Sequence, residues 1–270
     1  MSVPGLQKER IIEYLKQGKR FDGRKTEEFR NISVQTNISE CAEGSCSVKI
    51  GKTEVYAGVK MSIIAPYADG PDEGTLSVTL ELGAMADNDF DLGAPRIEAI
   101  EMARVIDRGV RESGIIDWEK LCIKSGEKVW QVNLDIYAIN NDGNLFDAAA
   151  LAALVALSNA KFPVYDIEAN KIEHKLTDTK LPLVKENMSF NLTIHKVGDQ
   201  FVLDPSLEEE EISDYRLSIA LADNKGEPRI TAMQKGKPGA ISESDMEKIL
   251  NLVESNFKEL NKKVTKIVWG

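Results

Sequence analysis

The chain has 270 residues, of which 42% are hydrophobic and 29% are charged, the balance of an ordinary soluble protein with one large or two smaller domains. Its 34 Lys and Arg against 44 Asp and Glu give a net charge of −10, which excludes a generally basic nucleic-acid-coating surface but leaves a local basic groove open. The sequence starts without an apolar signal core, and no run approaches the length of a membrane span. We therefore expect a cytoplasmic protein without membrane contact.

Cysteine usage points to the same compartment. Cys41, Cys46 and Cys122 are odd in number and lack the paired spacing of metal ligands, so we expect reduced packing residues and no metal.

Hydrophobic periodicity predicts a regular succession of elements in the first half of the chain. The pattern predicts, in chain order, an amphipathic helix at Leu6–Gln17, a hairpin of Ser45–Ile50 and Glu54–Met61, a strand at Thr75–Leu82 and a second helix at Pro95–Ser113. Two strands, at Lys120–Ile123 and Lys128–Ile139, and an Ala-rich buried helix at Phe146–Leu157 follow. In the second helix, Ile97 and Ile100 are expected among the buried residues.

The second half repeats the succession of hairpins and a helix. We expect the polar segment Phe162–Lys185 to be irregular. After it, the pattern predicts a hairpin of Ser189–Lys196 and Gln200–Leu203, a hairpin of Tyr215–Asp223 and Arg229–Gln234, and a closing helix at Glu243–Lys262 capped by Ser242. We therefore predict an α+β fold of two related subdomains, with helices packed on mixed sheets. The predicted domains are an N-terminal helical extension at 1–19, a first domain at 20–165, a connection at 166–187 and a second domain at 188–270.

One loop combines the backbone of a phosphate site with unsuitable side chains. A strand, the turn Asn140–Asn144 and a helix N-terminus present backbone N–H groups to an anion, and Gly143 is free to take a positive φ. A phosphate site would add Arg, Lys, Ser or Thr, but here Asn144 is followed by Leu, Phe and Asp147. The Asp147 carboxylate suits the helix dipole and repels phosphate. We expect Asn144 and Asp147 to cap the helix.

Three segments together resemble the RNase PH-like family. They are Arg20-Phe-Asp-Gly-Arg24 followed by Arg30, Gly74–Leu82, and Trp130–Leu157. Within that family the chain is similar to the non-catalytic RNase PH-like subunit of the archaeal exosome, through Ala103–Arg108, Val129–Trp130, Asp142–Asn144 and Leu203–Glu210. The resemblance covers the chain from Gly18 to the closing helix. It implies the RNase PH-like fold. We take a turn locked by an Asp22–Arg24 pair as the main role of the first signature.

The departures from the family pattern decide whether this chain is expected to be an enzyme. Catalytic members carry a Gly-Gly-Thr/Ser-Arg loop that holds inorganic phosphate, where this chain has Asp142–Phe146. Asp204 and Asp214 fall near the downstream carboxylate pair of catalytic members, in an altered setting. We expect both to be structural or relay residues rather than general acids. The acidic run Glu208–Glu211 is expected to be a solvated helix start or loop.

The resemblance also implies an assembly. Three catalytic and three non-catalytic subunits would form a hexameric ring, with RNA-binding cap proteins on one face. The catalytic partner would degrade single-stranded RNA from the 3′ end, with inorganic phosphate as its co-substrate. This chain would carry no catalytic residue and no cofactor, and would help to structure the partner's active site.

Arginines on the second helix are the candidate RNA contacts. Arg104, Arg108 and Arg111 have the spacing i, i+4, i+7 and share one helix face. A solvated face tied by Glu101–Arg104 and Asp107–Arg111 pairs is the competing interpretation. The resemblance implies that Arg104 and Arg108 face RNA, where guanidinium groups suit phosphate oxygens.

Several alternatives remain at this point. Whether Arg96 or Arg111 also contacts RNA stays open. One competing function is a self-sufficient phosphorolytic 3′→5′ exoribonuclease with Asp204 or Asp214 as the acid. The other is a purely structural ring subunit without RNA contact.

Overall fold

A computed structural model describes residues 3–91 and 93–270, and this part of the chain forms five α-helices and twelve strands. The helices are α1 Gly5–Lys16, α2 Ile97–Ser113, α3 Leu145–Asn159, α4 Leu207–Ile212 and α5 Glu243–Trp269. The strands are β1 Ile32–Thr36, β2 Gly44–Ile50, β3 Thr53–Ile64, β4 Thr75–Leu82, β5 Cys122–Lys124, β6 Lys128–Asn140, β7 Lys161–Asp166, β8 Lys171–Lys180, β9 Ser189–Val197, β10 Gln200–Leu203, β11 Tyr215–Asn224 and β12 Glu227–Gly236.

The first half builds a mixed sheet. Its strand order is β1-β2-β3-β6-β4, and β5 pairs with β6 at one end. All pairs are antiparallel except β4 and β6, which run parallel from Thr75 opposite Gln131 to Leu82 opposite Ala138. A parallel pair needs a long crossover connection, and the chain between β4 and β6 contains α2.

The second half builds a fully antiparallel sheet with the order β10-β9-β11-β12. Between the two sheets in sequence, β7 and β8 form a separate hairpin. The predicted α+β fold with helices packed on mixed sheets is thereby confirmed.

Helices fill the space between the two sheets. α2 contacts β4 of the first sheet and β9, β11 and β12 of the second, while α3 contacts β2, β3 and β6 on one side and β9 on the other. Every residue of α3 from Leu145 to Ser158 is buried, as expected for a helix that is apolar on all sides. A single hydrophobic cluster runs through both sheets and these helices.

The two terminal helices pack on this framework. On α5, the Phe257 ring stacks on Phe190 of β9 with 5.7 Å between ring centroids. Ser242 caps α5 as predicted, because its Oγ accepts the Asp245 N–H at 3.1 Å. On α1, the side chains of Ile11 and Leu15 pack in a second cluster with β9, β10 and α4.

Some predicted elements were wrong. The segment Phe162–Lys185 is not irregular, since β7 and β8 occupy most of it. The stretch Lys120–Ile123 begins as a 3-10 turn, Glu119–Leu121, and only then enters β5. Ile97 and Ile100 are not buried, since 72% and 43% of their surfaces are exposed.

The cysteines only partly match the expectation. The three cysteines are free, but Cys41 is exposed and so is not the packing residue expected, whereas Cys46 is buried. Among the described residues, no helix combines the length and apolar character needed to cross a membrane.

Candidate functional site

Helix α2 divides cleanly into a buried and an exposed face. The buried residues pack between the sheets and are Ala99, Met102, Ala103, Val105, Ile106, Gly109, Val110 and Ser113. The opposite face exposes Arg104, Arg108 and Arg111, as their spacing predicted. The helix ends at Gly114, whose φ of 72° forms a left-handed C-cap.

Two of the neighbouring arginines are held by the protein itself. The Arg111 guanidinium donates to Asp107 Oδ1 at 2.7 Å and to the Leu76 carbonyl at 3.0 Å. It also lies over the Trp118 ring, 5.7 Å from its centroid. Arg96 donates to the Asp89 carbonyl and lies 3.9 Å from a carboxylate oxygen of Glu98. The Asp107–Arg111 pair of the competing interpretation therefore forms.

Arg104 and Arg108 differ from these two. Neither makes an ion pair or a side-chain hydrogen bond with any residue in 3–91 or 93–270. The Glu101 carboxylate, which the competing interpretation pairs with Arg104, instead accepts from Arg216 Nη2 at 2.6 Å and from Gln234 Nε2 at 3.1 Å. The Glu101–Arg104 pair of the competing interpretation does not form, and two adjacent guanidinium groups are left exposed and unneutralised.

The Arg20–Arg24 signature joins the two halves of the chain. Arg20 is only 3% exposed, and its Nε donates to Glu209 Oε1 of α4 at 2.9 Å. The same guanidinium donates to the carbonyls of Leu203 and Asp204 at 3.0 and 2.8 Å. The expected pair between Asp22 and Arg24 forms, at 2.7 Å, but it is one contact of a larger network rather than the main role of the signature.

Asp204 lies at the centre of that network. Its buried carboxylate accepts from Arg24 Nη1 at 2.9 Å, from Arg30 Nη2 at 2.8 Å, from the Arg30 backbone N–H at 2.7 Å and from Asn144 Nδ2 at 2.9 Å. Burial alone would raise the pKa of Asp204, but the hydrogen bonds and charge of Arg30 outweigh it and hold the pKa below its usual value. The Asp204 carboxylate therefore stays ionised and joins Arg24, Arg30 and Asn144 through ion pairs and hydrogen bonds. Asp214, by contrast, is exposed and accepts the Gly198 N–H at 3.0 Å.

The loop before α3 adopts the backbone shape that its sequence predicted. Gly143 has a φ of 87°, and a Cβ at this position would lie 2.5 Å from the Pro205 carbonyl oxygen. Asn144 occupies the N-cap position in the left-handed conformation, but its side chain binds Asp204 and does not cap the helix. The backbone N–H of Asn144 instead donates to Glu210 Oε1 at 2.9 Å.

Asp147 does not act as a solvent-exposed cap either. Its carboxylate is buried and accepts from the Thr193 hydroxyl at 2.7 Å and from the Thr193 N–H at 3.2 Å, which links α3 to β9. Burial raises the pKa of Asp147 to about 7, against the opposing effect of the Thr193 hydrogen bonds.

The acidic run Glu208–Glu211 is the helix start that was expected, since it lies in α4, but it is only partly solvated. Ser206 and Glu209 form a capping box that starts α4, and Glu209 also binds Arg20. Glu210 occupies the N-terminus of α3, and Glu211 accepts the Val3 N–H at 2.9 Å. Three of the four glutamates therefore tie α4 to other parts of the chain, while Glu208 and Glu211 are exposed.

Comparison with known proteins decides the family. The model of the 3′ exoribonuclease family matches with its domain 1 at residues 28–163 and with its domain 2 at residues 188–254. The chain belongs to the 3′ exoribonuclease family.

Curated relatives and a solved structure similar to this chain are exosome proteins. The chain is 41% identical to the exosome complex component Rrp42 of Methanocella arvoryzae over 262 residues, which cover 97% of this chain and 96% of the relative. It is 40% identical to the Pyrococcus horikoshii protein of that name, with 98% and 94% covered. The Archaeoglobus fulgidus exosome with RNA bound to the active site contains a chain with a TM-score of 0.85 and 38% identity, with 96% of this chain and 97% of that chain covered. The RNase PH-like resemblance and fold are confirmed.

Proposed function

We propose that this chain is the non-catalytic RNase PH-like subunit of an archaeal exosome and that Arg104 and Arg108 hold RNA in the assembled complex. Three copies would alternate with three catalytic RNase PH-like subunits in a cytoplasmic ring that carries RNA-binding cap proteins. The catalytic partner would degrade single-stranded RNA from its 3′ end with inorganic phosphate. The observation that carries the RNA role is the pair of exposed, unneutralised guanidinium groups on α2.

The charge pattern supports an RNA contact at this place. In a chain with a net charge of −10, RNA must be held by a local group of cations. Arg104 and Arg108 lie one helical turn apart, a rise of about 6 Å, so both can reach the same strand. A guanidinium can bind two phosphate oxygens without reading the base, so these contacts would hold the strand without selecting a sequence.

The loop before α3 supports the absence of catalysis. It has no Arg, Ser or Thr to hold phosphate, and the Asn144 N–H is already engaged by Glu210. Asp204 is saturated by Arg24, Arg30 and Asn144, which leaves it no proton to donate at neutral pH. The resemblance assigns phosphate and catalysis to the partner. This chain would contribute the interface and the RNA-positioning arginines.

The RNA role is tested by charge reversal in the assembled complex. Arg104→Glu with Arg108→Glu should weaken the binding of single-stranded RNA by about tenfold or more and lower the salt dependence by about 0.7 for each lost contact. The matched control is Arg10→Glu with Lys16→Glu, which reverses two exposed charges of α1 and should leave RNA affinity unchanged. Equal RNA affinity of the two double variants would favour a purely structural subunit.

The absence of catalysis is tested on the isolated chain. Incubation with single-stranded RNA and inorganic phosphate should release no nucleoside diphosphate, whereas addition of the catalytic partner should give phosphate-dependent degradation from the 3′ end. Turnover by the isolated chain would instead establish a self-sufficient phosphorolytic exoribonuclease.

A further inference from the structure

Two tyrosine side chains stand next to each other on the outer face of the first sheet, opposite the face that packs on α2 and α3. Tyr56 of β3 and Tyr137 of β6 are directly paired across the two strands. Side chains of both strands alternate between the core and the outer face, and 39% of Tyr56 and 43% of Tyr137 are exposed. Tyrosine is enriched where proteins bind each other, so this pair is a candidate contact for a partner protein.

Two carboxylates lie beside the tyrosine pair. Glu81 of β4 is exposed and is paired with Tyr137, on the side of β6 away from β3. Asp135 precedes Tyr137 by two residues on the same face of β6, and its Oδ1 accepts the Thr79 hydroxyl at 2.5 Å. Burial, together with the negative charges of Glu81 and Asp135, raises the pKa of Tyr137, so both carboxylates act on its phenol.

These carboxylates lack a cation. Among the described residues, neither Glu81 nor Asp135 forms an ion pair. Lys49 and Lys60 also point to the outer face of the sheet, but the ammonium group of each lies within 3.0 Å of a different glutamate. The tyrosine–carboxylate cluster, which consists of Tyr56, Tyr137, Glu81 and Asp135, therefore carries uncompensated negative charge.

Open space lies beside the rings. Gly58 follows Tyr56 by two residues on the outer face of β3 and is paired with Asp135. A Cβ atom at Gly58 would approach the Ala42 Cβ, at 3.9 Å, and no other atom within 4 Å. A side chain of another molecule can therefore reach the Tyr56 ring and the Asp135 carboxylate at the same time.

A cationic side chain fits this combination of groups. The face of a tyrosine ring attracts a cation, and the planar guanidinium of arginine also stacks on such a ring. Neighbouring carboxylates accept from its N–H groups. RNA is disfavoured, because Glu81 and Asp135 repel its phosphates. A metal ion is disfavoured too, since no group of three or more His, Cys, Asp or Glu among the described residues is arranged to hold one.

We propose that the tyrosine–carboxylate cluster is a docking site for an arginine or lysine side chain that another protein presents to the outer face of the first sheet. The charge of the cluster selects a cationic partner, and the two rings supply the contact area. The site lies on the opposite face of the sheet from α2, so the proposal does not rest on an RNA role of Arg104 and Arg108.

The test uses the full-length chain and two short peptides of glycine and serine, one with a central arginine and one with citrulline, its uncharged isostere. Each is titrated at low salt while tyrosine ring signals are followed by NMR, with Tyr56→Phe and Tyr137→Phe to assign them. We expect saturable shifts at Tyr56 and Tyr137, and the arginine peptide should bind about fivefold tighter than the citrulline peptide. Tyr14 and Tyr67 are exposed outside the cluster, so their signals are the internal reference.

Two double variants separate the site from the overall acidity of the chain. Glu81→Gln with Asp135→Asn should abolish the preference for the arginine peptide, because it keeps the shapes of the side chains and removes their charges. The matched control, Glu9→Gln with Glu13→Gln, removes two exposed charges of α1 and should keep the preference.

Equal affinity for the two peptides, or no saturable shift with the arginine peptide, would overturn the proposal. Shifts at Tyr14 and Tyr67 that match those of the cluster would do the same, as would an arginine preference that survives in Glu81→Gln with Asp135→Asn. A single-stranded RNA oligonucleotide is titrated in parallel. A saturable shift of Tyr56 and Tyr137 with RNA but not with the arginine peptide would assign this face to nucleic acid instead.

Discussion

Asp204 offers the sharpest test of how the two halves are held together. Its substitution by Ala removes the carboxylate that Arg24 and Arg30 share, and the side chains of both arginines are only 11% exposed. The two guanidinium groups would stay buried without their common counter-ion. Loss of one member of a buried ion pair is strongly destabilising, because the remaining charge is then left uncompensated.

The loss of unfolding free energy in Asp204→Ala depends on the partners that Arg24 and Arg30 keep. Arg24 keeps Asp22 at 2.7 Å, and Arg30 keeps the Asp142 carbonyl at 2.7 Å, so neither guanidinium loses every partner. Loss of the buried partner therefore destabilises by about 3 kcal/mol, the lower end for such pairs. Asp204 also has a φ of 43°, which Asp tolerates better than Ala, and this adds about 1 kcal/mol. We expect Asp204→Ala to lower the free energy of unfolding by about 4 kcal/mol and Asp204→Asn, which suits the backbone, by about 3 kcal/mol.

Urea unfolding at pH 7 and at lower pH measures both the size and the origin of this effect. Because the folded-state pKa of Asp204 lies below its value in the unfolded chain, about 3.9, its stabilisation is fully present above that value. The stabilisation is lost only as pH falls through the lower, folded-state pKa. The difference between wild type and Asp204→Ala should therefore stay constant from pH 7 to about pH 5 and narrow only below about pH 4.

Asp199→Ala is the control for the loss of an exposed carboxylate. Asp199 is exposed and makes no ion pair with the described residues, so Asp199→Ala should change the free energy of unfolding by less than about 0.5 kcal/mol. A change below about 1 kcal/mol for Asp204→Ala at pH 7 would refute the ion-pair argument. So would a difference that already narrows between pH 7 and pH 5.

Two further substitutions test the contacts around α3. Burial raises the pKa of Asp147 to about 7, so the protonated side chain stabilises the fold at low pH, and this stabilisation is lost as pH rises through the folded-state pKa. Between pH 5 and pH 8, the free energy of unfolding of Asp147→Asn, measured in urea, should therefore rise by on the order of 2 kcal/mol relative to that of wild type. An unchanged difference between those pH values would contradict this. Gly143→Ala should destabilise by about 2 kcal/mol or more, because it combines a φ of 87° with a Cβ 2.5 Å from the Pro205 carbonyl oxygen. Gly126→Ala, at a φ of 69° with open space around it, is the control for backbone strain alone, and equal losses would refute the steric contribution.

Local sequence pattern was sufficient wherever local physics decides the structure. The Ala-rich segment predicted α3 because small apolar side chains on every face require a helix buried between layers. The β7–β8 hairpin was missed because its alternation is masked by charge. In β8, Ile172 and Leu176 alternate with Lys and Glu, and Leu176 stays 42% exposed, so the segment has the composition of a loop.

The contacts of the candidate site depend on distant parts of the chain, and sequence spacing cannot reveal them. The i, i+4 spacing correctly placed Arg104 and Arg108 on one exposed face. It could not show that Glu101 is drawn away from Arg104 by Arg216, which lies 115 residues further along the chain. The same holds for Glu210, whose partner is a backbone N–H 66 residues away, so the acidic run could not be distinguished from solvated charge.

Burial separates five arginines of this chain into two groups with opposite expected phenotypes. Arg20, Arg24 and Arg30 are desolvated, and a desolvated guanidinium must have a carboxylate partner. Arg104 and Arg108 are exposed, and water solvates an exposed guanidinium at little cost, so these two can remain unpaired, as the proposed RNA contact requires. Charge reversal at Arg104 and Arg108 should therefore lower RNA affinity while the urea midpoint stays within error of wild type. Asp204→Ala should do the reverse in any complex that still assembles, because it lowers stability and leaves the α2 arginines in place. A common loss of stability and RNA binding in both variants would mean that the two groups of arginines are not independent.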